Sequence, residues 1–156
     1  MFDVTLVNYK KMDISKITTY QSGVAQSSAY RNLNKLFSEL LRDHGLTSMQ
    51  WFVIGTIYDA GPEGIQLSHL SEKLQTGLPF ITNTINLLES KGIVERRGSP
   101  TDSRAKRVSI MPDFIKECEQ IEIDLRGKMR KSIYATISPA DLRIYIKVLY
   151  QLSGLK

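Results

Sequence analysis

The chain has 156 residues, 42% of them hydrophobic, with 21 Lys and Arg against 16 Asp and Glu for a formal charge of +5, two His and one Cys. That length suits a single domain, or one that shares its core with a partner chain, and an apolar content near the globular norm argues against extended disorder. A lone Cys118 excludes a disulfide framework or multi-cysteine zinc site, no apolar run approaches the ~20 residues of a membrane span, and Met1-Phe2-Asp3-Val4 lacks the basic-then-apolar pattern of a secretory signal.

Residues 1–21 carry Phe2, Val4, Leu6, Val7, Ile14, Ile17 and Tyr20 without a clean period, with Asp13 a candidate helix cap. From about 22 to 44, Leu33, Leu36, Phe37, Leu40 and Leu41 recur every three or four residues, the apolar face of a helix that Gly45 ends. Thr47-Ser48-Met49-Gln50 is a capping box, and the helix it opens reaches about Ala60 before Gly61-Pro62-Glu63-Gly64 stops it. Ile65-Gln66-Leu67 suffices at most for an edge strand. Ser68 is read as the cap of a helix over 69–75 with Leu70 and Leu74 inward, and Thr76-Gly77-Leu78 as a turn. Pro79 opens a further helix that runs to Gly92. It turns Ile81, Ile85 and Leu88 inward and leaves the small neutral residues Pro79, Thr82, Asn83 and Asn86 on its opposite side.

After Gly92 the period changes to that of strands. Residues 93–97 and 105–110 read as a two-stranded hairpin around the loop 98–103. The segment from Lys91 to Arg107 holds six cations against Glu95 and Asp102, which is most of the chain's excess charge in one place and suggests an anionic partner. Two more helices follow. The first, from about Pro112 to Thr136, carries Ile115, Cys118, Ile121, Leu125 and Met129 roughly in register; the second opens at Ser138-Pro139 and carries Leu142, Tyr145, Ile146, Leu149 and Leu152.

Two short helices joined by a three-residue turn and followed by a basic hairpin make a winged helix-turn-helix. An α-helix fits the major groove of B-form DNA, and a hairpin beside it can reach phosphates or the narrower minor groove, whose negative potential favours Arg. The expected fold is therefore mainly α with a small β-wing. Arg96, Arg97, Lys106 and Arg107 alternate along the strands, so about half of them face away from DNA, and the sequence leaves open which half.

At these residues the sequence resembles the MarR family of bacterial transcription regulators. The resemblance rests on the capped Leu46-Thr47, Gly61-Pro62, Leu67-Ser68-x-Leu70, the run from Leu88 to Arg97, and above all Asp102-Ser103-Arg104-Ala105-Lys106-Arg107-Val108. It implies N- and C-terminal dimerisation helices around the winged domain, dividing the chain into residues 1–45, 46–111 and 112–156. It implies a homodimer on a pseudopalindromic double-stranded operator, acting as a repressor. The recognition-helix contacts would be Pro79, Thr82, Asn83 and Asn86, and the wing contacts Arg97, Asp102, Arg104, Lys106 and Arg107, with Arg104 entering the minor groove and Asp102 steadying neighbouring cations. Leu142, Tyr145, Ile146 and Leu149 would lie in the dimer interface. Tyr30, Trp51 and Tyr58 would line a pocket for a phenolic or other apolar effector.

Two departures from the family pattern matter. The recognition helix has no basic residue between Lys73 and Lys91, so Arg-to-guanine readout is absent and Thr82, Asn83 and Asn86 are left to read adenine edges or thymine methyls. Met111 stands where a capping Thr is usual. Cys118 lies in an apolar periodic stretch flanked by Glu117 and Glu119, a core position rather than a redox sensor. His44 and His69 are isolated, and no nucleophile–base pair, phosphate loop or carboxylate pair appears, so we expect no enzyme, metal or cofactor. The reading is a cytoplasmic regulator with no membrane partner; its rivals are a winged module for protein contact and a nonspecific architectural DNA binder.

Overall fold

The computed structural model describes residues 13–98 and 106–154. The chain forms two compact units, Met1–Lys35 and Leu36–Lys156. In the first, Asp13 does act as a cap. Its carboxylate accepts hydrogen bonds from the Ser15 amide at 3.1 Å and hydroxyl at 2.6 Å, opening a single 3-10 turn over Ile14–Lys16. These bonds to Ser15 hold the carboxyl below the usual carboxylate range. Helix α1 spans Thr19–Arg42. It begins before the expected residue 22 because Thr18 and Gln21 exchange side-chain and backbone bonds at 3.0 and 3.3 Å, a second capping box that fixes the start.

The core of the second unit sits among α2 (Ser48–Asp59), α3 (Leu67–Lys73), α4 (Leu78–Ser90) and a three-stranded antiparallel sheet of β1 (Ile65–Gln66), β2 (Val94–Gly98) and β3 (Lys106–Ile110), in the order β1-β3-β2. The Thr47–Gln50 box forms as expected, at 3.0 and 3.2 Å, so α2 starts where the sequence put it. Val53, Ile54, Ile57, Leu70, Ile81, Ile85, Leu88 and Val108 all have zero exposure. At about 1.5–3 kcal/mol for each such side chain, this shared cluster is the main force fixing the elements against one another.

The structure corrects three local expectations. Ser68 does not cap α3: the helix starts one residue earlier, at Leu67, with Gln66 at the cap and no side-chain bond there. Leu67 therefore leaves the strand, because pairing with β3 ends at Gln66 opposite Arg107 and the leucine is packed on the core instead. The segment expected as one helix from 112 to 136 is a 3-10 turn at Pro112–Phe114 followed by α5 over Ile115–Lys131. Its C-terminus comes early because Ser132 leaves helical geometry and its hydroxyl donates back to the Lys128 carbonyl at 2.8 Å. The hairpin itself pairs as expected, and β1 joins it at the outer edge of β3, the edge-strand place that the sequence allowed it.

Helix α6 (Pro139–Ser153) is capped by Ser138, which accepts from the Asp141 amide at 3.1 Å, and is followed by Gly154 at φ +67. It contributes no buried residue.

Gly64 ties the loop to the sheet. It lies at φ +66, and a Cβ there would fall on the Val108 carbonyl oxygen, so only glycine lets the 61–64 turn close against β3. Gly61, at φ +71, faces open space. Gly64→Ala should therefore lower unfolding stability by roughly 2–4 kcal/mol and Gly61→Ala by only about 1 kcal/mol, since the first adds a backbone clash to the left-handed strain that both share. Urea denaturation of the two variants checks this; equal losses would show that the close approach costs nothing.

Candidate nucleic-acid interface

Helix α4 is positioned by its inner face. Ile81, Thr84, Ile85 and Leu88 are buried, so the residues half a turn away must face outward. Pro79, Asn83 and Asn86 are exposed and Thr82 is half-buried. All four expected recognition-helix residues thus lie on the solvent side, but they are not equivalent. The Thr82 hydroxyl donates to the Leu78 carbonyl at 2.9 Å, inside its own helix. The Asn86 side-chain carbonyl accepts from Arg96 at 2.5 Å. The Asn83 side chain makes no hydrogen bond among the described residues. The sequence reading overlooked Phe80 and Leu87, which are 48% and 46% exposed. Their seven-residue spacing puts them on one flank with Asn83 between, a pattern that was available in the sequence.

The sheet register settles which wing cations share a face. Arg96 pairs with Val108 and Arg97 with Arg107, and residues directly opposite each other point the same way. Arg96 shares its face with the fully buried Val108 and reaches α4, where its guanidinium pairs with Glu89 while its amide donates to the other Glu89 oxygen at 3.3 Å. This half-buried bridge locks the wing to α4. On the other face, Arg97 pairs with Glu95, and Arg107 donates to the carbonyls of Glu63 at 2.7 Å and Gly64 at 2.6 Å. Arg107 therefore anchors the 61–64 turn as well as carrying charge. Lys106 is exposed, opposite Gly98. Asp102 and Arg104 lie outside the described residues.

Trp51 and Tyr58 line one cleft of about 620 Å³ between α2 and α5, together with Gly55, Asp59, Cys118, Glu119, Glu122, Ile123 and Arg126. The Tyr58 hydroxyl donates to Glu119 at 2.8 Å; that bond, with burial and the nearby carboxylates, pushes its pKa up. Tyr30 is exposed on α1, in the first unit. Burial first, and then the charges of Glu122, Glu119 and Asp59, push the Cys118 thiol up to about 11. On α6, Leu142 and Tyr145 are half-buried while Ile146 and Leu149 are each 41% exposed. Among the described residues no three His, Cys, Asp or Glu side chains converge as a metal site, and no helix is long and apolar enough to cross a membrane.

A helix-turn-helix of α3 and α4, backed by a three-stranded sheet whose hairpin carries the charge, defines a winged helix-turn-helix protein. Residues 44–105 match the sequence model of the MarR family. The HTH-type transcriptional regulator MhqR of Bacillus subtilis (strain 168) is 30% identical over 81 residues, which is 52% of this chain and 54% of that protein. The chain spans about half the length of the curated relatives it matches. A mutant MarR from E. coli complexed with operator DNA superposes with a TM-score of 0.73 at 22% identity, covering 83% of this chain and 91% of that one. CouR from Rhodococcus jostii RHA1 bound to p-coumaroyl-CoA gives 0.74 at 15% identity, covering 83% and 90%. Residues 44–105 thus match the MarR family in sequence, and the fold around them is that of solved MarR-family proteins.

The environment of Cys118 makes a chemical prediction. A thiol titrating near 11 instead of its ordinary 9 carries about one hundredfold less thiolate at neutral pH. Native protein at pH 8 should react with iodoacetamide at least tenfold more slowly than urea-unfolded protein. Equal rates would place the sulfur in an open, activating site.

Proposed function

We propose that this chain is a sequence-specific duplex-DNA-binding transcription regulator that works as a homodimer on a pseudopalindromic operator, as a repressor relieved by a small effector. The observation that carries the reading is the outer face of α4. It is neutral and hydrogen-bonding at its centre, held rigid by a fully buried inner face, and bridged by Arg96 to a cationic wing. In this mechanism the N-terminal half of α4 enters the major groove, Arg104 reaches the minor groove, and Lys106 and Arg97 meet phosphates. The second copy supplies the matching half-site contacts, with α6 and its Leu142, Tyr145, Ile146 and Leu149 in the shared interface.

The effector reading rests on the α2–α5 cleft. An occupant there touches the helix behind the helix-turn-helix and the helix leading to α6, so it can bias the separation of the two recognition helices by the ~1–3 kcal/mol that allosteric coupling typically needs. Asp59, Glu119 and Glu122 line the cleft beside Trp51, Tyr58 and Ile123 and disfavour an anion; its aromatic and aliphatic walls suit a phenol or another apolar molecule.

Selection of bound duplexes from a random pool tests the core of this reading. It should return a consensus with two inverted half-sites about one helical turn apart. Recovery of unrelated sequences would favour a nonspecific architectural binder. On the selected duplex, Arg104→Ala should weaken binding by roughly 1–3 kcal/mol in a fluorescence anisotropy titration without changing the melting temperature; unchanged affinity would remove Arg104 from the interface.

Leu149→Asp puts an unpaired charge into the proposed dimer interface, and burial of such a charge is costly. The variant should sediment as a folded monomer and lose operator binding, whereas a stable dimer would move the interface elsewhere.

A further inference from the structure

On α4 the favoured partners of a G·C pair are missing. Guanine is read in the major groove by Arg or Lys, and the helix has neither between Lys73 and Lys91. The cytosine amino group is read by a carboxylate. The only one on this helix, Glu89, has both oxygens engaged by Arg96. The hydrogen-bonding residues narrow further. The Thr82 hydroxyl donates into its own helix and the Asn86 carbonyl is held by Arg96. Asn83 alone keeps donor and acceptor together for the N6 and N7 edge of adenine. Beside it lies an exposed apolar flank: Pro79 stands at the helix start, and Phe80 and Leu87 follow at 48% and 46% exposure. The one apolar group that a base pair offers in the major groove is the thymine C5 methyl.

We infer that the operator half-site is A·T-rich and is read through thymine methyl groups, with Pro79 and Phe80 making the apolar contacts and Asn83 the bidentate adenine contact. Leu87 extends the same stripe toward the next base step. The inference rests on the DNA-binding regulator reading above and adds the chemistry of its target. Specificity of this kind does not depend on wing charge. Rising salt therefore weakens all duplexes together through lost phosphate contacts and leaves the preference among them unchanged.

The experiment uses the full chain and the duplex recovered by selection. Each thymidine of one half-site is replaced in turn by deoxyuridine, which removes the methyl and keeps the pairing, and affinity is read by fluorescence anisotropy. At least one substitution should weaken binding about fourfold, the effect of one buried methyl. In Phe80→Ala the thymine-over-uracil preference at one position should vanish, while Phe80→Leu, which keeps an apolar side chain, should retain part of it. Asn83→Ala should abolish the preference for adenine at one position. A G·C-rich consensus, or a uridine scan without effect in the wild-type protein, overturns this inference and leaves the regulator reading standing. Failure to bind any duplex overturns both.

Discussion

Everything the outer surface of α4 can do depends on burial of the inner one. A 13-residue helix is marginal alone in water. Here Ile81, Ile85 and Leu88 have zero exposure, and they meet a cluster built from α2, α3 and the sheet that includes Ile54, Ile57, Leu70 and Val108. Turning the helix by one residue would expose part of this set, so the core chooses which residues face a partner. The same core reaches the wing through Val94 and Val108, and the Arg96 bridge to Glu89 and Asn86 adds a polar tie at the rim. Helix α4 and the strands β2 and β3 therefore present one fixed surface.

That bridge also changes what the charge cluster means. Arg96 is neutralised in its half-buried bridge to Glu89, which adds little long-range field, whereas Arg97 is paired with Glu95 at an exposed site where a phosphate can exchange for the carboxylate. Lys91 and Arg107 bind carbonyls instead, those of Gly45 at 2.9 Å and of Glu63 and Gly64. A cation on a neutral carbonyl keeps its charge. Those two residues anchor loops and still contribute to the potential, whereas Arg96 is given over to rigidity. Net charge counted along the segment overstates how many of its cations are available to a phosphate.

The elements legible in the sequence are those whose signals are local. The Thr47–Gln50 box and the inner face of α4 appeared where capping and periodicity placed them, and the strand pair within a residue, while α4 itself begins at Leu78, one residue ahead of the expected Pro79. The errors have a common origin in non-local competition. Ser68 has the composition of a cap, but the register of β1 on β3 ends the strand one residue sooner and draws Leu67 into the helix. Ser132 breaks a pattern that Met129 and later residues would have continued. At the candidate interface the outward set was read correctly as a set, because a helical period is enough for that. What each member can still bond was not readable, since it depends on Arg96 crossing from β2 and on Thr82 turning back on Leu78. Phe80 and Leu87 are not marked by polarity, yet apolar exposure at their spacing is the stronger departure from an ordinary helix surface.

Helix α6 presses the argument for a partner further than any one of its residues does. At 100° per residue its polar side is a narrow strip of Arg143, Lys147 and Gln151, four residues apart. Apolar side chains cover most of the remaining circumference. Ile144, Val148, Tyr150 and Leu152 are 61%, 42%, 57% and 71% exposed in the single chain. A helix that merely lay against a neighbour would hide one stripe and leave the rest wet, which a contiguous apolar surface of this extent does not tolerate in a monomer. Covering it requires contact from more than one direction. The homodimer proposed above, with helices of two copies interlocked, would supply such contact. The same enclosure would make the spacing of the two α4 helices a property of the α6 packing, so an effector that shifts α5 by a small amount would be felt at both half-sites together.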